Sequence, residues 1–142
     1  MDRYNIYLSG GMSGLTEEEQ TVWREKIRNA VVFEDYKYEK NPYFFDPTQH
    51  YSIFKSEHKS EREAMEYDLY KLRNSDLVIV NFNAPNSIGT TMELALAKEH
   101  RIPVIGINTD GKELHPWLVE CCARMCDSLR EAVDHVINYY LD

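Results

Sequence analysis

The chain has 142 residues and carries 24 acidic against 16 basic side chains, which gives a formal net charge of −8 at pH 7. With 43% hydrophobic residues it can bury a core without metal or disulfide staples, so a largely disordered chain is excluded. No basic run is present to neutralise phosphates, which argues against a nucleic-acid polymer as partner.

The sequence carries no pattern typical of a membrane protein or an exported one. Its mean hydropathy is −0.55, and no apolar run approaches the roughly 18 residues of a membrane span. Residues 1–5 lack both the basic start and the apolar stretch of an export signal. We therefore expect one cytoplasmic domain over residues 1–142, with no membrane partner.

The cysteines, Cys121, Cys122 and Cys126, are clustered near the end of the chain. An odd number in so short a stretch makes a poor disulfide framework, and no suitably spaced pair of histidines accompanies them. We expect no disulfide and no metal site.

Short apolar runs alternate with amphipathic patterns in chain order. The chain opens with a strand at Asn5–Leu8, a glycine-rich loop at Ser9–Gly14 and a helix after a capping box at Thr16. Its apolar positions at helical spacing are Val22, Trp23, Ile27 and Ala30. The further predicted elements are strand Tyr43–Phe45, helix Ser60–Arg73 (apolar at Ala64, Met65, Leu69 and Leu72), strand Leu77–Val80, helix Thr90–His100, strand Ile102–Ile107, a short helix at His115–Trp117, edge strand Ala123–Cys126 and a last helix opened by Ser128.

This alternation predicts an α/β fold, a flavodoxin- or Rossmann-like three-layer sandwich with a five-stranded parallel sheet in the order 2-1-3-4-5. In such a sheet the ligand lies beyond the carboxyl ends of the strands, near the switch between strands 1 and 3. The segments Ser9–Gly14 and Asn81–Glu93 leave the sheet at that point. The polar run Thr48–Lys59 is long for a plain connection, and both a lid over the ligand and a disordered or partner-contacting loop are open interpretations.

The segment Ser87–Glu93 is the most informative stretch for chemistry. Gly89 allows a tight turn into a helix whose amides, at Thr90 and Thr91, can face an anion, and Ser87 adds a hydroxyl. Glu93 follows one turn later, and a carboxylate held there can attack an anomeric carbon. The alternative is a glutamate that only interacts favourably with the helix dipole.

Several short motifs follow one another along nearly the whole chain. They are Ile6–Gly14, Trp23-Arg24, Phe45–Pro47, Asp68 ahead of Asn74–Val80, Gly89-Thr90 with Met92–Ala95 and Ala97, and Ile102–Ile105. In this order and spacing the chain resembles the nucleoside 2-deoxyribosyltransferases and the related 2′-deoxynucleoside 5′-monophosphate N-glycosidases.

The resemblance implies cleavage of the N-glycosidic bond of a deoxynucleoside or its 5′-monophosphate without a cofactor. Glu93 matches the nucleophile that forms a deoxyribosyl ester, Tyr7 the tyrosine that positions it, and Asp68 an aspartate that assists proton transfer. It also implies a homo-oligomer. The family's C-terminal segment often enters a neighbour's site, and this chain has no clear match to that segment beyond Asn108 and the region of Trp117. The residues expected to bind substrate are Ser9, Gly10, Gly11, Met12, Ser13, Ser87, Gly89 and Thr90. Of these, the hydroxyls of Ser9, Ser13 and Ser87 are expected to donate hydrogen bonds to a phosphate.

The sequence departs from the transferases just before the nucleophile. They carry an aspartate there that protonates the leaving base, whereas this chain reads Asn83–Ser87 without a carboxylate, closer to the monophosphate hydrolases. Transfer and hydrolysis therefore both remain open. Two other functions are also open: a ribonucleotide phosphoribohydrolase, whose loop Gly89-Thr90 and Glu93 match in part, and a non-catalytic nucleotide-binding module of the same fold.

Overall fold

The computed structural model describes residues 3–33, 38–50 and 59–142. Five strands and five α-helices alternate along these residues, with a 3-10 turn after the second strand and a π-helical segment at the end. Their bounds are β1 Arg3–Gly10, α1 Glu17–Val32, β2 Asn41–Phe45, the 3-10 turn Pro47–Gln49, α2 Glu61–Arg73, β3 Leu77–Asn81, α3 Ile88–Glu99, β4 Val104–Ile107, α4 Pro116–Glu120, β5 Arg124–Cys126, α5 Leu129–His135 and the π-helical segment Val136–Leu141.

The strands form one parallel sheet in the order β2-β1-β3-β4-β5, which confirms the predicted fold class and topology. In the register of the central pair, Tyr7 lies beside Val78 and Ser9 beside Val80. The chain enters β2 on one side of β1 and β3 on the other, so the switch point lies at the carboxyl end of β1.

Alternate residues of the strands face two separate cores. Ile6 and Leu8 of β1 pack with apolar residues of α1, α5 and the π-helical segment on one face of the sheet. Tyr7 belongs to the opposite core, with Leu72 of α2 and Leu94 of α3. Because side chains alternate along a strand, Ser9 lies on the same face as Tyr7. That face is the one covered by α2 and α3.

Two element boundaries and the exposure of two apolar residues differ from the sequence-based prediction. Strand β1 continues through Ser9 and Gly10, because both pair with β3, so these two residues are strand rather than loop. Helix α3 begins at Ile88, two residues earlier than expected, with Ser87 as its N-cap. Val22 and Met65, predicted on apolar faces, are 39% and 43% exposed.

The segment Thr48–Lys59, for which a lid and a disordered or partner-contacting loop are both open interpretations, falls largely outside the described residues, since residues 51–58 are not among them. Within the described ranges, no helix is long and apolar enough to cross a membrane.

Candidate active site

A pocket of about 240 Å³ opens at the carboxyl end of the sheet, between the end of β1 and the helices α2 and α3. This is the position that the topology predicted for a ligand. Its walls come from the glycine-rich segment, one face of α2 and the first turns of α3. The lining residues are Gly10, Met12, Ser13, Arg24, Pro47, Glu61, Ala64, Met65, Asp68, Leu69, Ser87, Gly89, Thr90, Met92 and Glu93.

The Glu93 carboxylate in this pocket has a hydroxyl donor on each oxygen. The phenol of Tyr7 donates to Oε2, and the hydroxyl of Ser9 donates to Oε1 over 2.7 Å. Tyr7 and Ser9 are both fully buried, and they lie two residues apart on β1, on the face that meets α3. The sequence predicted Tyr7 as the partner of Glu93, but it placed Ser9 at a phosphate.

Burial raises the pKa of the Glu93 carboxyl from its ordinary 4.5 to about 7. The hydrogen bonds from Tyr7 and Ser9 oppose this rise, because they favour the charged form, and the nearby Arg24 acts in the same direction. The negative charge of Asp68 adds to it. The carboxyl group therefore changes charge near neutral pH, and pKa shifts of this kind are typical of functional sites.

Asp68 lies in the same pocket on α2. The sequence placed it at the margin of the apolar face of that helix, and the side chain is 7% exposed. Residues Ala64, Met65 and Leu69 of the same helix face also line the pocket. Ala64 and Met65 lie one turn before Asp68 on α2, and Leu69 follows it directly, so Asp68 lies among apolar side chains opposite the helix that carries Glu93.

The glycine-rich segment contributes unevenly to the pocket. Gly10, Met12 and Ser13 line it, whereas Gly11 is not among its lining residues. The amide of Gly11 donates to Oδ1 of Asn83 over 3.0 Å, and a Cβ at Gly11 would lie 2.5 Å from the Cβ of Ala84. Gly11 is therefore needed for the close approach of two loops, which differs from its predicted substrate contact.

The start of α3 binds its own N-cap through the amides that were expected to face an anion. The amide of Thr90 donates to Oγ of Ser87 over 3.3 Å, and that of Thr91 to the Ser87 carbonyl over 3.1 Å. In the part of the chain that the structure describes, no hydrogen bond engages the amides of Ile88 and Gly89. These two amides, with the Ser87 hydroxyl, are the donors that α3 offers to a ligand.

Sequence reasoning missed Arg24 and Asp46 as parts of this site. Both side chains are almost completely buried, and Arg24 lines the pocket. Arg24 belongs to the buried face of α1 at helical spacing from Gln20 and Ile27. A charged residue on the inner face of an amphipathic helix was the signal that could have identified it, because a buried charge needs a partner.

Comparisons with known proteins agree with the observed fold. A family model described as "Nucleoside 2-deoxyribosyltransferase like" matches residues 3–111. A conserved protein from Enterococcus faecalis has a similar structure, with a TM-score of 0.74 and 16% identity over 96% of this chain and 99% of that one. A 2-deoxyribosyltransferase from Bacillus psychrosaccharolyticus superposes with a TM-score of 0.69 and 15% identity, over 92% and 90% of the two chains.

A CMP N-glycosidase from Clostridium botulinum also superposes, with a TM-score of 0.60 and 14% identity over 95% of this chain and 98% of that one. No curated protein sequence matches the chain. Among the described residues, no group of His, Cys, Asp or Glu is placed to hold a metal ion. Since the family model covers most of the sequence, the chain belongs to the nucleoside 2-deoxyribosyltransferase-like family.

Proposed function

We propose that this protein cleaves the N-glycosidic bond of 2′-deoxynucleosides or their 5′-monophosphates and passes the deoxyribosyl group to water or to a second base. The observation that carries the proposal is the Glu93 carboxylate, which lines the pocket with one hydroxyl donor on each oxygen. Family membership supports the same class of reaction.

Glu93 is the nucleophile in this mechanism. One carboxylate oxygen forms a bond to C1′ of the sugar while the bond from C1′ to the base nitrogen breaks, and the base leaves with that electron pair. Tyr7 and Ser9 hold the carboxylate in one orientation throughout. Water or a second base then displaces the ester, and the two displacements retain the configuration at C1′.

Asp68 is the group we assign to the proton that the leaving base needs. Its side chain is buried in the same pocket, and its charge acts on Glu93. The mechanism needs Glu93 ionised and Asp68 protonated, and two carboxyl groups that face one pocket disfavour double ionisation, so the pair retains one proton. In that state Asp68 donates its proton to the leaving base. In the second half of the reaction its carboxylate takes a proton back from the attacking water or base.

A 5′-phosphate, where the substrate has one, is assigned to the start of α3. The hydroxyls of Ser13 and Ser87 line that side of the pocket, and the amides of Ile88 and Gly89 are available there. Backbone amides at a helix N-terminus hold an anion without requiring a net positive charge. Gly10, Met12 and Thr90 complete this side of the pocket.

The test is base release, followed by chromatography, from each deoxynucleoside and each deoxynucleoside 5′-monophosphate, with and without a free acceptor base. Release from monophosphates without acceptor identifies a hydrolase, and release that requires acceptor identifies a transferase. Glu93→Ala is the control, with Glu99→Ala at the exposed end of the same helix as its match. Release from no substrate, or release that survives Glu93→Ala, overturns the proposal.

A further inference from the structure

Arg24 reaches the part of β1 that carries Ser9. Its Nε donates to the carbonyl of Leu8 over 3.3 Å, and its Nη2 donates to the carbonyl of Gly10 over 3.4 Å. These two residues stand on either side of Ser9, whose hydroxyl donates to Glu93 over 2.7 Å. One guanidinium thus fixes the backbone on both sides of a residue that contacts the nucleophile.

The guanidinium is itself held in place by buried groups. Nη1 donates to the carbonyl of Gln20 one turn earlier on α1, and Nε lies 3.7 Å from Oδ1 of Asp46. Asp46 is anchored in turn by the amide and the hydroxyl of Thr48, over 2.9 and 2.6 Å. A rigid planar fork with several fixed acceptors positions a backbone better than a flexible ammonium does.

We propose that Arg24 is a positioning residue of the active site, which holds Ser9 against the Glu93 carboxylate and keeps a buried positive charge beside it. Arg24 has no covalent part in the reaction. Its contribution is to fix one of the two hydroxyl donors of Glu93 and to favour the ionised carboxylate that attacks the sugar.

The charged and titratable groups around Glu93 determine in which direction its pKa moves when Arg24 is lost. Tyr7 faces it from β1, Asp68 from α2 and Arg24 from α1, while Asp46 lies behind Arg24. Arg24 lowers the pKa of Glu93, as does the Ser9 hydrogen bond. Loss of the guanidinium removes the first effect and loosens the second, so both changes raise the pKa of Glu93.

The test is a direct titration of Glu93 by NMR, with glutamate labelled at its carboxyl carbon and Glu93→Gln used to assign the signal. In Arg24→Met we expect the titration midpoint to rise by about one pH unit. In Arg24→Lys, which keeps the charge but loses the fork, we expect a smaller rise. Arg28→Met is the matched control, since Arg28 also pairs with Asp46, over 3.3 Å, but is not among the residues that line the pocket.

A second measurement separates positioning from general support of the fold. If Arg24 acts through Ser9, Arg24→Lys shifts the midpoint much less in a Ser9→Ala background than in the native protein, whereas independent effects add. Arg24→Met and Arg24→Lys should also lower kcat roughly tenfold. The acidic limb of their pH profiles should move to higher pH together with the NMR midpoint of Glu93.

An unchanged Glu93 midpoint in folded Arg24→Lys, or full additivity with Ser9→Ala, overturns the inference even where Arg24→Met does not fold. The role of Glu93 in catalysis rests on the proposed function, but the titration does not depend on turnover. Failure of base release with the expected NMR shifts would therefore remove the proposed function and the catalytic meaning of Arg24, and leave its positioning of Glu93 in place.

Discussion

Glu93→Gln is expected to make the protein more stable as the pH rises, relative to the native chain. The carboxyl has a pKa of about 7 in the folded protein, against an ordinary value of 4.5, so ionising it costs the folded state free energy. The native protein therefore has its full stability below the pKa that Glu93 has in the unfolded chain. It loses part of that stability as the pH rises through the pKa that Glu93 has in the folded protein. A shift of this size corresponds to an upper bound of about 3 kcal/mol.

Because the Glu93 side chain is partly exposed at the pocket, solvent reduces this bound. We expect the unfolding free energy of the native chain, relative to Glu93→Gln, to fall by roughly 2 kcal/mol between about pH 5 and about pH 8. The assay is denaturant unfolding of both proteins at the two pH values, where effects of other titrating groups cancel in the difference. Glu99→Gln on the exposed end of α3 is the matched control and should show no such trend. A difference in unfolding free energy between the native chain and Glu93→Gln that stays constant with pH would show that the pKa of Glu93 is not raised by folding.

The remaining predictions concern the donor to the nucleophile, two glycines and a thiol. Tyr7→Phe removes the phenol donor to Glu93, so base release should fall roughly tenfold to hundredfold and its acidic limb should move to higher pH; an unmoved limb would contradict this. Gly11→Ala places a methyl 2.5 Å from a carbon of the facing loop and should cost roughly 1–3 kcal/mol in denaturant unfolding. Gly89→Ala, with its nearest contact at 4.0 Å, should cost nothing, and equal losses at the two glycines would count against the packing argument. Burial raises the pKa of the Cys122 thiol to about 12, so peptide mapping after brief alkylation at neutral pH should find it unmodified, and rapid modification would show that it is accessible as a thiolate.

The sheet order and the place of the pocket could be predicted because they depend on features that are local in sequence. Continuous apolar runs such as Leu77–Val80 indicate buried parallel strands, and their alternation with helices leaves few topologies. Once the order is fixed, the carboxyl ends of β1 and β3 must be neighbours. Tyr7 and Glu93 then meet in space, although they are 86 residues apart in the chain.

The role of Ser9 was beyond the sequence because it depends on where β1 ends. Read as loop, Ser9 is a free hydroxyl near a ligand, but its pairing with Val80 keeps it in the strand, two residues from Tyr7 and on the same face. The amides at the start of α3 present the same difficulty. Only the observed hydrogen bond from Thr90 to Ser87 decides which amides the N-cap uses.

Arg24 illustrates a different limit of sequence reasoning. Its position on the inner face of α1 is visible from the helical period, but its partners come from β1 and from the turn after β2. Such contacts link segments that no local pattern connects. The buried charge therefore indicates that a partner exists without identifying it.

The covalent intermediate on Glu93 is the feature of the proposed mechanism that can be tested most directly. The native protein is mixed with a deoxynucleoside or its 5′-monophosphate that it turns over, quenched rapidly in acid and examined by intact-mass spectrometry and peptide mapping. We expect a deoxyribosyl adduct on the peptide that contains Glu93, and neither adduct nor base release in Glu93→Gln. Base release without any adduct on that peptide, continuing in Glu93→Gln, would contradict the proposed mechanism.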